Sequence, residues 1–156
     1  MKISLFVLGK TDSTYINKGI EDFFKRTSYF CPIELNVIPE PKNHGKLTPQ
    51  EQMQAEAILF EKKIEPNDIV VLLDEKGKTY TSLSFANQLE TWLNSGKKRL
   101  VFIIGGAYGI HSSLKQKYPA VSLSAMTFNH QLTRLIFAEQ IYRAFTIIKG
   151  LPYHNE

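Results

Sequence analysis

Short strand-like runs alternate with helix-like segments along the whole of this 156-residue chain, and that alternation constrains its fold more than any other feature. Ile3 to Leu8 is an apolar run closed by Gly9 and the polar stretch Lys10-Thr11-Asp12-Ser13, as expected of a buried strand and its loop. Ile16, Ile20, Phe23 and Phe24 then recur at helical spacing. Ile33, Leu35 and Val37 alternate with Glu34 and Asn36, the period of a half-buried strand. Thr48, Pro49 and Glu51 spell a capping box with proline at the first helical position, ahead of Met53, Ala57, Ile58 and Phe60. Ile69 to Leu73 and Leu100 to Ile104 are apolar throughout, which predicts strands covered on both faces. Between them a helix is predicted from about Ser82, with Phe85, Leu89, Trp92 and Leu93 inward and Gly96 as its stop. A short helix near Ser112 to Lys117, a strand around Ala120 to Leu123 and a long helix from about Gln131 to Lys149 complete the pattern. It predicts one domain over residues 1–156, an α/β fold whose mainly parallel sheet carries helices on both faces. Ligands of such sheets lie at the carboxyl ends of strands, so the loops after Leu73, Ile104 and Leu123 are the candidate site.

Composition narrows the chemistry. No apolar run approaches the roughly 20 residues of a membrane-spanning helix, and the start leads straight into a strand pattern, so a cytoplasmic protein with no membrane partner is expected. Cys31 is the only cysteine, which excludes an internal disulfide and a cysteine-built zinc site. None of His44, His111, His130 and His154 stands at metal-ligand spacing from another, so no metal is expected. The net charge of +4 leans towards a polyanionic partner, with basic clusters at Lys42, His44 and Lys46, at Lys97 to Arg99, and at Lys115 and Lys117.

Two nucleotide motifs fail on spacing. Gly77-Lys78-Thr79 resembles the end of a P-loop, but the glycine required five positions earlier is Leu72. Gly105-Gly106-Ala107-Tyr108-Gly109 follows a strand without the spacing of a dinucleotide fingerprint. Three glycines in five residues either make a tight turn or let a flat ligand approach the main chain. Ser122 to Phe128 offers small residues, hydroxyls and the apolar Met126 and Phe128, suited to an adenine or to an ordinary strand end. The last helix is apolar around nearly its whole circumference, which suggests cover by a second subunit as well as by its own sheet. Glu139 and Arg143 stand four apart on it, as a structural ion pair or as reacting groups. Tyr153 and His154 in the tail can stack on a base and exchange a proton.

Taken in order, Leu72-Leu73-Asp74-Glu75-Lys76-Gly77-Lys78, Ile103-Ile104-Gly105-Gly106-Ala107-Tyr108-Gly109, Leu123-Ser124-Ala125-Met126-Thr127, His130-Gln131-Leu132-Thr133-Arg134, Glu139-Gln140-Ile141-Tyr142-Arg143-Ala144 and Pro152-Tyr153-His154 resemble the bacterial ribosomal RNA large subunit methyltransferase H family, within the SPOUT superfamily. The resemblance covers essentially the whole chain. It departs after the Tyr-His pair, where Asn155 replaces an expected basic residue.

The resemblance implies a SPOUT domain with a C-terminal trefoil knot, acting as a homodimer on 23S ribosomal RNA in the 70S ribosome. Its reaction is S-adenosylmethionine-dependent methylation at N3 of a pseudouridine. Leu73, Gly105, Gly106 and the run Ser124, Ala125, Met126, Thr127, Phe128 and Asn129 then line the cofactor pocket. Arg143, Tyr153, His154 and Glu139 form the catalytic group, with His154 as the candidate base and Glu139 or water as alternatives. Arg134, His130, Lys42 and Lys46 are the expected RNA contacts. The competing readings are a SPOUT enzyme acting on another RNA, such as tRNA, and a ribosome-binding assembly factor without activity.

Overall fold

Why the apolar runs become strands is visible in what covers them. In the computed structural model, which describes residues 1–156 in full, the chain order is β1 (Lys2–Leu8), α1 (Thr14–Thr27), β2 (Ile33–Ile38), α2 (Pro49–Glu61), β3 (Ile69–Thr79), α3 (Ser82–Leu93), β4 (Arg99–Ile104), α4 (Ser112–Lys117), β5 (Ala120–Ser122) and α5 (His130–Ile148). The sheet order is β2-β1-β4-β3-β5, and every strand pair is parallel. Ile3, Leu5 and Val7 of β1, Val71 of β3 and Phe102 of β4 face the larger core beneath α1, α3 and α5. Phe6, Leu72, Val101 and Ile103 face a smaller core under α2 and α4. Both sides of the central strands are therefore sealed from water, and only continuous apolar sequence is stable there. Trp92 of α3 and Phe137 of α5 meet Phe102 with ring centroids 5.9 and 4.7 Å away, which fixes both helices over β4. No helix is long and apolar enough to cross a membrane.

The predicted capping box forms in full: the Glu51 N–H donates to Thr48 Oγ1 at 3.2 Å, and the Thr48 N–H donates to Glu51 Oε2 at 2.8 Å.

Two expectations are corrected. Val37 is 44% exposed, although it shares the β2 face of Ile33 and Leu35. On that face β2, the outermost strand, is covered only at its start, where Ile33 and Leu35 pack against the larger core. The strand that begins at Ile69 continues past Leu73 to Thr79, its pairing with β5 slipping between Leu73 and Lys78 before resuming at Lys78 and Thr79. Gly77 lies in that irregular stretch because a Cβ there would stand 2.6 Å from the Ala120 carbonyl carbon. Close backbone approach, not phosphate binding, accounts for the Gly-Lys-Thr run.

Candidate active site

All strands are parallel, so their carboxyl ends share one edge of the sheet, and a cleft of about 630 Å³ opens there. Three segments wall it: Leu73 to Lys76 in the irregular stretch of β3, Ile104 to Ile110 after β4, and Leu123 to His130 between β5 and α5, with Ala125 missing from the lining. Leu73, Gly105, Gly106, Ser124, Met126, Thr127, Phe128 and Asn129, which the resemblance implies as cofactor contacts, line one cavity. Ala125 is exposed on the outside of its loop and is the one expected cofactor residue that does not line the cleft.

The glycine cluster is first of all a turn. Gly109 has φ +89°, and its N–H donates to the Gly106 carbonyl at 3.1 Å. A Cβ on Gly105 would stand 2.6 Å from the Gly109 oxygen, so the two legs of the turn lie in contact. The third wall is held by its own polar groups. Ser122 Oγ donates to the Ser124 carbonyl at 2.8 Å, and the Met126 N–H donates to Ser124 Oγ at 3.0 Å. Asn129 caps α5 by accepting from the Gln131 N–H at 2.8 Å.

Links between walls complete the rim. Thr127 donates to the Glu75 carboxylate, and Lys115 pairs with Asp74 at 2.7 Å. Asp74, Glu75, Lys76, Tyr108 and Lys115 all line the cleft; the first four lie in loops expected to form the site without having been singled out, and Lys115 was expected only in a basic cluster. Asp74 to Lys76 carried a signal, since they interrupt an apolar strand, and Tyr108 stands inside the glycine cluster.

His130 lines the cleft at the first turn of α5. Burial, reinforced by the Arg134 charge, lowers its pKa and keeps the ring neutral at neutral pH. Arg134 itself corrects an expectation. Only 1% exposed, its guanidinium donates to the Leu8 carbonyl at 2.6 Å, the Gly9 carbonyl at 3.0 Å and Thr11 Oγ1 at 3.1 Å. It ties α5 to the end of β1 and is withdrawn from any RNA contact, because leaving those carbonyls would strand a buried charge. Lys42 and Lys46 are exposed in the turn after β2, on the same sheet edge as the cleft. Lys97 and Lys98 precede β4 and lie at the opposite edge, while Lys117 is paired with Glu61.

The four expected catalytic residues converge, but elsewhere. The tail folds back on the last turns of α5 through Gly150, φ +65°, and a Leu151 N–H bond to the Thr146 carbonyl at 2.9 Å. Glu139 Oε1 there accepts from Arg143 Nη2 at 2.5 Å and from the Tyr153 hydroxyl at 3.0 Å. The Arg143 guanidinium lies 4.9 Å from the centre of the Tyr153 ring and 3.3 Å, through Nη1, from His154 Nδ1. Glu139 holds the Arg143 charge in place and raises its pKa. Since arginine only donates, His154 Nδ1 is the acceptor and the neutral ring carries its proton on Nε2, which has no hydrogen-bond partner.

Glu139 stands nine positions after His130 on one helix, roughly 14 Å along its axis, and Arg143 roughly 20 Å. A single chain therefore separates the cleft from the tail cluster. No group of three or more His, Cys, Asp or Glu side chains is arranged to hold a metal.

Comparison with known proteins agrees with this geometry. A family model described as "Predicted SPOUT methyltransferase" matches residues 1–154. The Ribosomal RNA large subunit methyltransferase H proteins of Parabacteroides distasonis, Bacteroides fragilis and Flavobacterium psychrophilum are 46, 47 and 45% identical to this chain, each over the full length of both. A parallel sheet with a main-chain cleft at its carboxyl edge, together with matches that run through every element of the fold, establishes that the chain belongs to the SPOUT methyltransferase family.

Proposed function

We propose that the chain is a ribosomal RNA methyltransferase that uses S-adenosylmethionine to methylate N3 of a pseudouridine in 23S RNA of the assembled ribosome, in the cytoplasm and as a homodimer. The observation that carries this reading is the cleft, since its volume lies in the range of small-molecule sites and its walls suit the donor. Apolar Leu73, Ile104, Met126 and Phe128 offer contact to an adenine, and the glycine turn offers bare main chain. Asp74 and Glu75 place carboxylates on the rim beside Lys76 and Lys115, so it offers partners to both the ammonium and the carboxylate of the donor. The relatives' names and their full-length match support the RNA substrate. When bound, the donor supplies an electrophilic methyl group, so the chain's own task is alignment and proton transfer.

Tyr153 stacks on the base and Arg143 stabilises the negative charge that develops on its carbonyls. When Arg143 turns to those carbonyls it releases His154 Nδ1, which then accepts the proton from N3. Glu139 keeps Arg143 and Tyr153 in register throughout. The separation of the cleft from this cluster within one chain supports the dimer, in which the tail of one copy meets the cleft of the other. His130, Lys42 and Lys46 contact the RNA around that junction, and the trefoil knot belongs to the same reading. Transfer of labelled methyl groups to ribosomes with and without the target pseudouridine tests it. Label is expected only where the pseudouridine is present, and equal labelling of both, or of tRNA, overturns the assignment.

A further inference from the structure

Beneath the glycine turn lies a carboxyl group that the mechanism above does not use. Glu56 stands on α2 with 3% exposure. None of the chain's ion pairs includes it. One oxygen is taken up instead by a neutral donor. Gln52, one helical turn earlier, gives its side-chain amide to Oε1 at 3.0 Å, and the Gly106 backbone lies against the same carboxyl group. Burial pushes the Glu56 pKa up, while Glu40 and His44 on the loop after β2 act on it with opposite signs.

The contact with the turn is close. A Cβ on Gly106 would stand 2.6 Å from Glu56 Oε1 and 2.9 Å from Oε2. The main chain at Gly106 therefore rests directly on the carboxyl group, and a larger residue there would have to displace it. Gly106 itself lines the cleft.

We propose that Glu56 is a positioning residue for the methyl donor, its carboxyl group packing against Gly106 and holding the Gly105–Gly106 turn in the shape that main-chain contact with the donor requires. The inference rests on the assignment of the cleft to S-adenosylmethionine. Its physical basis is entropy. A segment with three glycines in five residues has more backbone freedom than any other part of the cleft. Without the clamp that freedom returns to the empty protein, and each binding event must order the turn again. Once the donor is bound the turn is ordered, so the loss falls on affinity and spares the chemical step.

Calorimetric binding of S-adenosylmethionine to the full chain, followed by methyl transfer to ribosomes over a range of donor concentrations, tests the proposal with Glu56→Ala and Glu56→Gln. Glu56→Ala is expected to weaken donor binding about tenfold or more, with kcat at saturating donor within about threefold of the parent. Glu56→Gln is expected to restore affinity to within about threefold, because an amide of the same shape still fills the space against Gly106 and still accepts from Gln52. Parent affinity in Glu56→Ala, a Glu56→Gln variant as weak as Glu56→Ala, or a fall confined to kcat overturns the clamp. Where Glu56→Ala does not fold, Glu56→Asp withdraws the carboxyl by one methylene and is expected to show the same loss; unchanged binding there overturns the clamp. A parent protein that binds the donor but does not methylate ribosomes removes the RNA assignment and leaves the clamp to be judged by binding alone. A parent that does not bind the donor removes both.

Discussion

The two ends of α5 are built on opposite principles. At His130 the helix borders a cleft made of backbone, where glycines sit against carbonyl oxygens and a carboxyl group at distances no Cβ tolerates. Thirteen residues later, Arg143 sits in a cluster made of side chains, with Glu139, Tyr153 and His154 in mutual hydrogen-bond or stacking contact. A backbone site is as precise as the sheet that positions it, and it needs no partner to take shape. The side-chain site depends on the eight residues after α5, which fold back on its last turns, and it stands roughly 14 to 20 Å along the helix from the cleft. The difference suggests a division of labour: one fold element presents the donor and the other handles the acceptor.

Substitutions that touch one end only should break the comparison if it is wrong. The largest expected effect is that of Arg143→Ala. Turnover on ribosomes is expected to fall about 100- to 1,000-fold, the usual cost of removing a donor to developing negative charge. Calorimetric affinity for S-adenosylmethionine should stay within about twofold, and a parallel loss of affinity would mean that the two ends are not separate sites. Gly105→Ala should give the reverse signature. Its Cβ meets the Gly109 oxygen at 2.6 Å, so the turn must shift, and a rearrangement costing about 1–3 kcal/mol corresponds to a loss of donor affinity of roughly 5- to 150-fold. The kcat at saturating donor should change little, and unchanged affinity would show that the turn does not touch the donor.

The smallest effect sharpens the boundary between the ends. Burial and Arg134 lower the folded-state pKa of His130, so below pH 6.5 the unfolded chain binds more protons at this residue than the native one. The stabilisation is complete above pH 6.5 and is lost as pH falls through the folded-state pKa. His130→Gln should therefore flatten the dependence of the urea midpoint on pH below 6.5, while parent and variant run parallel above it. Equal slopes at low pH would place His130 in solvent, outside the cleft wall.

Much of the architecture was legible from residue order. Val70 to Leu72 and Leu100 to Ile103 are almost fully buried because strands sealed on both faces tolerate nothing but apolar side chains, and such runs stand out in any reading. Thr48, Pro49 and Glu51 announced a helix start through hydrogen bonds that span three residues. The cleft was legible in part for the same reason, since a glycine cluster after a buried strand marks a local backbone demand. Glu56 gave no such sign: on α2 it reads as one more polar residue, and its burial depends on Gly106, fifty positions away. Arg134 likewise looked like an exposed basic residue until the end of β1 came within 2.6 Å of it.

What residue order settled alone was whatever depends on neighbours along the chain: the strands, the helix starts and stops, the tight turn, and the pairing of Glu139 with Arg143 one helical turn apart. Only the tertiary structure decided which strand became the edge and left Val37 in water, where the three loops met to make a cleft, and how far along α5 the tail cluster stands from it. Those outcomes rest on contacts between residues 30 to 120 positions apart, and burial, not local preference, selects such contacts.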